Sequence, residues 1–337
     1  MGASWGSYCS EGSGSNVDVA RQIKAYQMTA DVARLFAILL LCISASMIAP
    51  PRCNAAETSA EQPAAEFEVL AWNIWNGGDE ARYAEDEAVK RAKQQAIVDV
   101  IKASGADVVA MVETYGSGEA IAAGLGFHFH PRGTNVSILS RWPVVEDVSV
   151  YEPFNCVGAI VELPDKRRVA VYSAWIHYVD DIWTDPHSRD GRDAAALLAA
   201  DGESRQVEIR AILRGIDEKM AKRPGVPVIL AGDFNSNSHL DYVEAAREQY
   251  GIVAEWTVTK LVAQAGFRDA YRTCRPRIDR AADRTWSPQF PEQIQDRIDF
   301  VFWRGSQLRP VEAKRLDQAK PRWPSDHAAV WARFGWE

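Results

Sequence analysis

Val228-Ile229-Leu230-Ala231-Gly232-Asp233-Phe234-Asn235-Ser236 is the stretch from which the fold is read. Four apolar, mostly branched residues predict a buried strand, and Gly232 marks where it stops and the backbone turns. Asp233 and Asn235 follow two positions apart, so an extended chain points both the same way and sends Phe234 into the core. A strand that delivers an acid and an amide at its C-terminal end is where α/β proteins often place chemistry. The competing reading is an Asx-type turn, in which both side chains only satisfy local backbone groups. These nine residues alone do not choose between the two.

Outward from this stretch, the 337 residues are 47% apolar and 25% charged, the composition of an ordinary folded protein. No linker interrupts the middle of the chain, so one large domain is expected. The net charge of -8 comes with no polybasic run, and the broad electrostatic footprint of a tight nucleic-acid binder is missing. A hydrolase that neutralises phosphate locally with a bound metal remains compatible.

The N-terminal region stands apart. Residues 1–27 are rich in Gly and Ser without apolar periodicity, and read as unstructured or as preceding the true start at Met28. Residues 28–56, with the uncharged run Leu35 to Ala49 and small residues near Asn54-Ala55-Ala56, predict a signal peptide. Residues 57–65 then form a polar linker, and 66–337 the domain. A periplasmic or secreted location follows; anchoring by residues 35–49 is the alternative, although the run falls short of the roughly 20 apolar residues of a spanning helix. Loss of the leader leaves Cys156 and Cys274, which could pair in an oxidising compartment or remain two buried thiols.

Within the domain, Phe67 to Gly78 predicts a strand ending in a Gly-Gly turn, with Asn73 where the strand runs out. An amide there can ligate a hard cation, orient a carboxylate that does, or close a strand end. Glu87 to Ser104 has Val89, Ala92, Ala96, Ile97, Val100 and Ile101 at helical spacing, and Gly105 ends it. Asp107 to Gly116 is an apolar strand stopped by Glu113. A buried unpaired carboxylate is costly, and a divalent cation is its simplest partner, with Lys or Arg as the alternative. Val136–Ser140 and Val169–Trp175 are further strands, the second leading into Ile176-His177. Acidic Tyr178 to Asp201 reads as a long surface loop, and Glu203 to Met220 as a helix with Val207, Ile209, Ile212, Leu213 and Ile216 inward. Asp241–Gln249 and Val258–Ala265 look helical, and Asp296–Trp303 is a strand with acids at its start and middle. Ser325-Asp326-His327 precedes a last apolar strand.

Each piece is weak alone, but their order is specific. With Trp72-Asn73-Ile74, Val112-Glu113, Ile176-His177, Gly232-Asp233-Phe234-Asn235, Arg297-Ile298-Asp299 and Ser325-Asp326-His327, the chain resembles the endonuclease/exonuclease/phosphatase superfamily over roughly residues 66–335. The resemblance implies a deoxyribonuclease-I-like α/β fold: a four-layer sandwich of two mixed sheets with helices outside. It also implies phosphoester hydrolysis with a divalent cation, Mg²⁺ first, with Mn²⁺ or Ca²⁺ as alternatives. Glu113, Asn73 and Asp326 would serve the metal. His327 would activate water or stabilise the pentacovalent phosphorus, with Asp299 orienting it; Asp296 is the other candidate for that task. Asp233 would align the nucleophile or protonate the leaving oxygen, and Asn235 and His177 would bond non-bridging oxygens.

His177 places the chain nearer the branch resembling secreted deoxyribonucleases, sphingomyelinases and inositol-phosphate phosphatases than the apurinic-site repair branch. The expected partner is a phosphoester substrate, nucleic acid or a small or lipid phosphodiester. No dedicated protein partner is implied, and a monomer is expected. A phosphomonoesterase or lipid phosphoesterase on the same scaffold is the second reading, and a non-catalytic binding protein the third. The aromatic residues near these loops, among them Trp75, Trp175, Trp183 and Trp286, are expected mainly to pack.

Overall fold

The computed structural model describes residues 66–178 and 181–337. The leader, linker and anchor expectations for residues 1–65 lie outside them. Along the chain the strands are β1 (Phe67–Asn73), β2 (Val108–Val112), β3 (His128–Arg132), β4 (Val136–Ser140), β5 (Val144–Asp147) and β6 (Cys156–Glu162). They continue as β7 (Arg168–Trp175), β8 (Val228–Asp233), β9 (Arg268–Asp269), β10 (Asp299–Arg304), β11 (Leu308–Leu316) and β12 (Ala329–Trp336). The longer helices are α1 (Glu87–Ser104), α2 (Gly118–Leu125), α3 (Ala194–Ala200) and α4 (Glu203–Met220). Shorter ones follow: α5 (Arg247–Tyr250), α6 (Thr257–Gln264), α7 (Ala270–Cys274) and α8 (Arg280–Asp283).

Two six-stranded sheets result, ordered β11-β12-β1-β2-β4-β3 and β5-β6-β7-β8-β10-β9. Each is mixed, with one parallel pair at its centre, β1 with β2 and β7 with β8. Period-two alternation assigns the faces. Phe67, Val69 and Ala71 of β1 meet Val169, Val171, Ile229 and Ala231 of the other sheet in a shared core. Leu70 and Trp72 point the opposite way, against Ile97, Val98 and Ile101 of α1. On the far side, Leu230, Phe300 and Phe302 pack under Ile209, Ile212 and Ile216 of α4 and Val258 and Val262 of α6. This is the four-layer, deoxyribonuclease-I-like sandwich. With both faces of both sheets covered, the central strands are buried end to end, which is why they read as continuous apolar runs.

The helix limits follow local chemistry. Asp86 caps α1 by accepting the Ala88 and Val89 N–H groups, and Gly105 closes it in the left-handed region at φ 76°. Two positions expected in the core are not: Val89 and Val207 are 47% and 59% exposed, each on the solvent side of its helix. The segment from Tyr178 to Asp201 is, in its described residues, also more than a surface loop. Ile182, Trp183, Leu197 and Ala200 are buried with Tyr242 and Trp256 in a fourth apolar cluster, and α3 lies within it. Residues 241–249 form only a 3₁₀ turn and the start of α5, because the Asp241 carboxylate is committed to Arg272 and Arg297. Asp296 precedes its strand and makes only an isolated bridge to Trp286. Cys156 and Cys274 are both free thiols, the first buried and the second partly so. No helix of the described residues is long and apolar enough to cross a membrane.

Gly232 is required where it stands. Its φ is 136°, and a Cβ there would come within 2.0 Å of the Ala174 carbonyl oxygen on the paired strand. Gly232→Ala is therefore expected to cost about 3 kcal/mol or more of stability through strain and clash combined. Urea denaturation of the variant against the parent checks this.

Candidate active site

The sheet pairings bring one edge of each sheet to a common place. Strands β1, β2 and β8 end there, and their antiparallel neighbours β12 and β10 begin there. Asn73 closes β1, Glu113 follows β2, and Asp233 closes β8. Asp299 opens β10 as the direct cross-strand partner of Asp233. His327 lies two residues before β12.

The side chains close into a connected set. His327 Nδ1 lies 2.9 Å from Asp299 Oδ2, and its Nε2 lies 3.9 Å from Asp233 Oδ2. The Asn73 amide nitrogen donates to Glu113 Oε1 and to Asp233 Oδ2, each at 3.1 Å. Its carbonyl oxygen accepts the Trp75 N–H at 3.0 Å, which fixes which end of the amide faces the carboxylates. Glu113 Oε2 accepts the Asn76 N–H at 2.8 Å. The Asx-type turn also exists, since Asp233 Oδ1 accepts the Asn235 N–H at 2.9 Å. One carboxylate thus serves both the turn and the cluster. Phe234 points into the core between Phe300 and Phe302. The Asn235 amide nitrogen donates to the Ile176 carbonyl at 2.9 Å.

Supporting groups hold these side chains still. Ser325 Oγ donates to the Asn73 carbonyl at 2.7 Å and accepts the His327 N–H at 3.1 Å. The indoles of Trp72 and Trp323 both donate to the His327 carbonyl. Buried Asn135 accepts the Glu113 N–H at 3.0 Å. Thr285 Oγ1 takes the N–H groups of Ile298 and Asp299. Ser325 and Trp323 have a local signal, through their closeness to Asp326-His327; Trp72, Asn135 and Thr285 act across longer sequence separations. Trp75, Asn76, Glu113 and Asn235 all have positive φ, between 43° and 57°. Left-handed backbone at four non-glycine residues round one cavity is strain of the kind that concentrates at functional sites.

Two sequence candidates sit differently from the rest. Asp296 does not touch His327; its carboxylate takes Arg189, the Tyr242 hydroxyl and the Trp183 indole. The His177 side chain is 51% exposed, and its Nδ1 faces Glu208 at 3.5 Å. It is not among the residues lining the cavity. That cavity, of about 220 Å³, is lined by Glu113, Asp233, Asn235, Asp326 and His327 together with Asn76, Ile298, Trp75, Trp175, Tyr178, Trp183 and Trp286.

Burial dominates the electrostatics. It raises Asp233 to about 7, aided by the neighbouring Asp299 charge and opposed by His327. It raises Asp326 to about 7 as well, with His327 opposing and Glu113 adding. For His327, burial works against the charged form, but Asp299 and Asp233 outweigh it and hold the imidazole protonated well above its usual range. Asp299 and Asp326 each keep one buried carboxylate oxygen without a hydrogen-bond partner. Buried, unpaired acceptors in an acidic cup fit a hard cation. Asp233, Asp299 and His327 also offer ligand atoms within 4.8 Å of one another, a spacing that could hold a metal ion.

A model of the Endonuclease/Exonuclease/phosphatase family matches residues 70–327, from β1 to His327. The chain belongs to that family. An uncharacterised Caenorhabditis elegans protein, F14F9.5, is 27% identical over 299 residues, covering 79% of this chain and 90% of the relative. Among solved structures, truncated Caenorhabditis elegans TDP2 matches with 17% identity and a TM-score of 0.52, over 80% of this chain and 98% of that one. A family member from Bacteroides vulgatus gives 17% identity and 0.55, over 81% and 100%. The human Nocturnin catalytic domain, solved with a bound sulfate anion, gives 15% and 0.53, over 81% and 95%. At such low identity these structures speak for the fold.

Asp299→Asn is expected to lower the His327 pKa, because a neutral amide no longer offsets the cost of burying the charged ring. An NMR titration of the His327 ring nitrogens reads this; an unmoved midpoint means that Asp299 does not hold the charge.

Proposed function

We propose that the protein is a divalent-metal-dependent phosphoesterase acting on phosphodiesters, with Mg²⁺ as its ion. The observation that supports it most is a cavity lined by Glu113, Asp233 and His327, with Asp299 bonded to His327 and Asn73 bonded to Glu113 and Asp233 behind them. Glu113 and Asp326 would hold the cation, with Asn73 steadying Glu113 and Asp233. The bound ion would polarise a phosphoryl oxygen and offset developing charge. His327 would donate from Nε2 to a phosphoryl oxygen as negative charge builds. Asp299 receives Nδ1–H and keeps the ring charged and oriented. Asp233, titrating near neutrality, is suited to take the proton of the attacking water. These groups are close enough to titrate together, so a pH profile would report the set. Asn235 would fix the near end of the substrate. His177 would join only by turning its ring away from Glu208.

Asp233→Asn and His327→Ala are each expected to lower turnover of bis-p-nitrophenyl phosphate at least ~100-fold, and EDTA to abolish it reversibly. Near-parental rates in both variants would remove this assignment of roles. The cation must also displace protons. Asp233 and Asp326 both sit at about 7 without metal, so Mg²⁺ affinity is expected to fall as pH drops below 7. The limit is about tenfold per pH unit for each proton displaced. Calorimetric titration at pH 6 and pH 8, in buffers of different ionisation enthalpy, reads both the affinity and the proton count.

A further inference from the structure

We infer that the site takes a small phosphodiester bearing one negative charge and, besides its leaving group, one flat aromatic group, held by an aromatic wall that includes Tyr178 and Trp183, rather than a nucleic-acid strand. The inference rests on the phosphoesterase reading and concerns what the cavity admits. Among the described residues no lysine or arginine lines the cavity, and His327 is the one imidazole in its lining. Within the cavity a second phosphate would find no lysine or arginine and would share the space with Glu113, Asp233 and Asp326. The net charge of -8 adds a long-range repulsion. At about 220 Å³ the space lies below the roughly 300–1,000 Å³ usual for drug-sized ligands, which leaves room for a phosphoryl group and about one ring.

What remains of the wall is aromatic. Trp75, Trp175 and Trp286 are only partly covered, and Tyr178 is 45% exposed. The Trp286 ring centroid lies 4.8 Å from that of His327, so a group resting on it would sit beside the reacting phosphorus. Indole and phenol faces favour a flat π-system over an alkyl chain. The wall is also built rather than draped. Trp183 is buried, its indole donating to Asp296 at 3.2 Å. Arg189 ties the same carboxylate to the Ile182 carbonyl, and the Tyr242 hydroxyl completes the anchor at 2.8 Å.

The test uses the purified enzyme with Mg²⁺ and four probes: bis-p-nitrophenyl phosphate, ethyl p-nitrophenyl phosphate, p-nitrophenylphosphorylcholine and supercoiled plasmid. Bis-p-nitrophenyl phosphate should give the highest kcat/KM by tenfold or more, changing less than threefold between 50 and 200 mM salt, with the plasmid intact. A strand-binding enzyme making 6–10 phosphate contacts would lose about 10³–10⁵ in affinity over that range. Tyr178→Ala and Trp75→Ala should each raise KM for the diaryl ester about tenfold with kcat reduced less than threefold. Plasmid nicking that falls steeply with salt overturns the inference and leaves the phosphoesterase reading standing. Preference for the choline ester overturns it in favour of a cation cage, and unchanged KM in both variants also overturns it. No Mg²⁺-dependent hydrolysis of any probe overturns both readings.

Discussion

Two carboxylates face each other across an antiparallel ladder at the heart of this protein, Asp233 on β8 and Asp299 on β10. Like charges in directly opposed positions destabilise a sheet, and burial makes the conflict worse. His327 resolves it by placing a charged imidazole against both. Everything at that edge serves this arrangement. Two indoles and a serine hydroxyl pin the histidine backbone, a threonine hydroxyl pins the start of β10, and an asparagine amide links the acids to Glu113. The set tolerates charge because each member is a condition for the others.

A second buried network sets the approach to that edge. Arg297, two residues before Asp299, is fully buried between Asp241 and Asp269, while Arg272 joins Asp241 to Asp283. Such networks contribute less net stability than their geometry suggests, because desolvation offsets attraction. Here they hold the entry to β10 in register, and register decides whether Asp299 faces His327 or the opposite side.

Much of this was legible beforehand because it is local. Helices α1 and α4 could be bounded from periodicity and a closing glycine or charged turn, and β1, β2, β7 and β8 are apolar runs buried on both faces. The order of Asn73, Glu113, Asp233, Asp299 and His327 pointed to one family, and the family match over residues 70–327 bears out that membership. What stayed hidden depends on distant partners. β6 is broken in sequence by Gly158, yet the Tyr172 ring fills the place of the missing Cβ. The edge strand β3 reads His128-Phe129-His130-Pro131-Arg132, where a proline and the lack of β-branched residues hide it. Acidic composition made 178–201 look like a surface loop, since nothing local shows that Asp296 and Tyr242 anchor its Trp183 and Arg189. Asn135 and Thr285 gain their roles only from residues they meet in space.

The span of the site has a consequence for how the protein is made and damaged. Its acids, amide and imidazole come from positions 73 to 327, drawn from both sheets. No fragment that omits either end of this span keeps the whole set, and a product cut before His327 would lose the imidazole that faces Asp299 and Asp233 even with much of its core present. An intact set of these side chains therefore reports that both sheets have assembled, with β1 at one end of the span and the approach to β12 at the other.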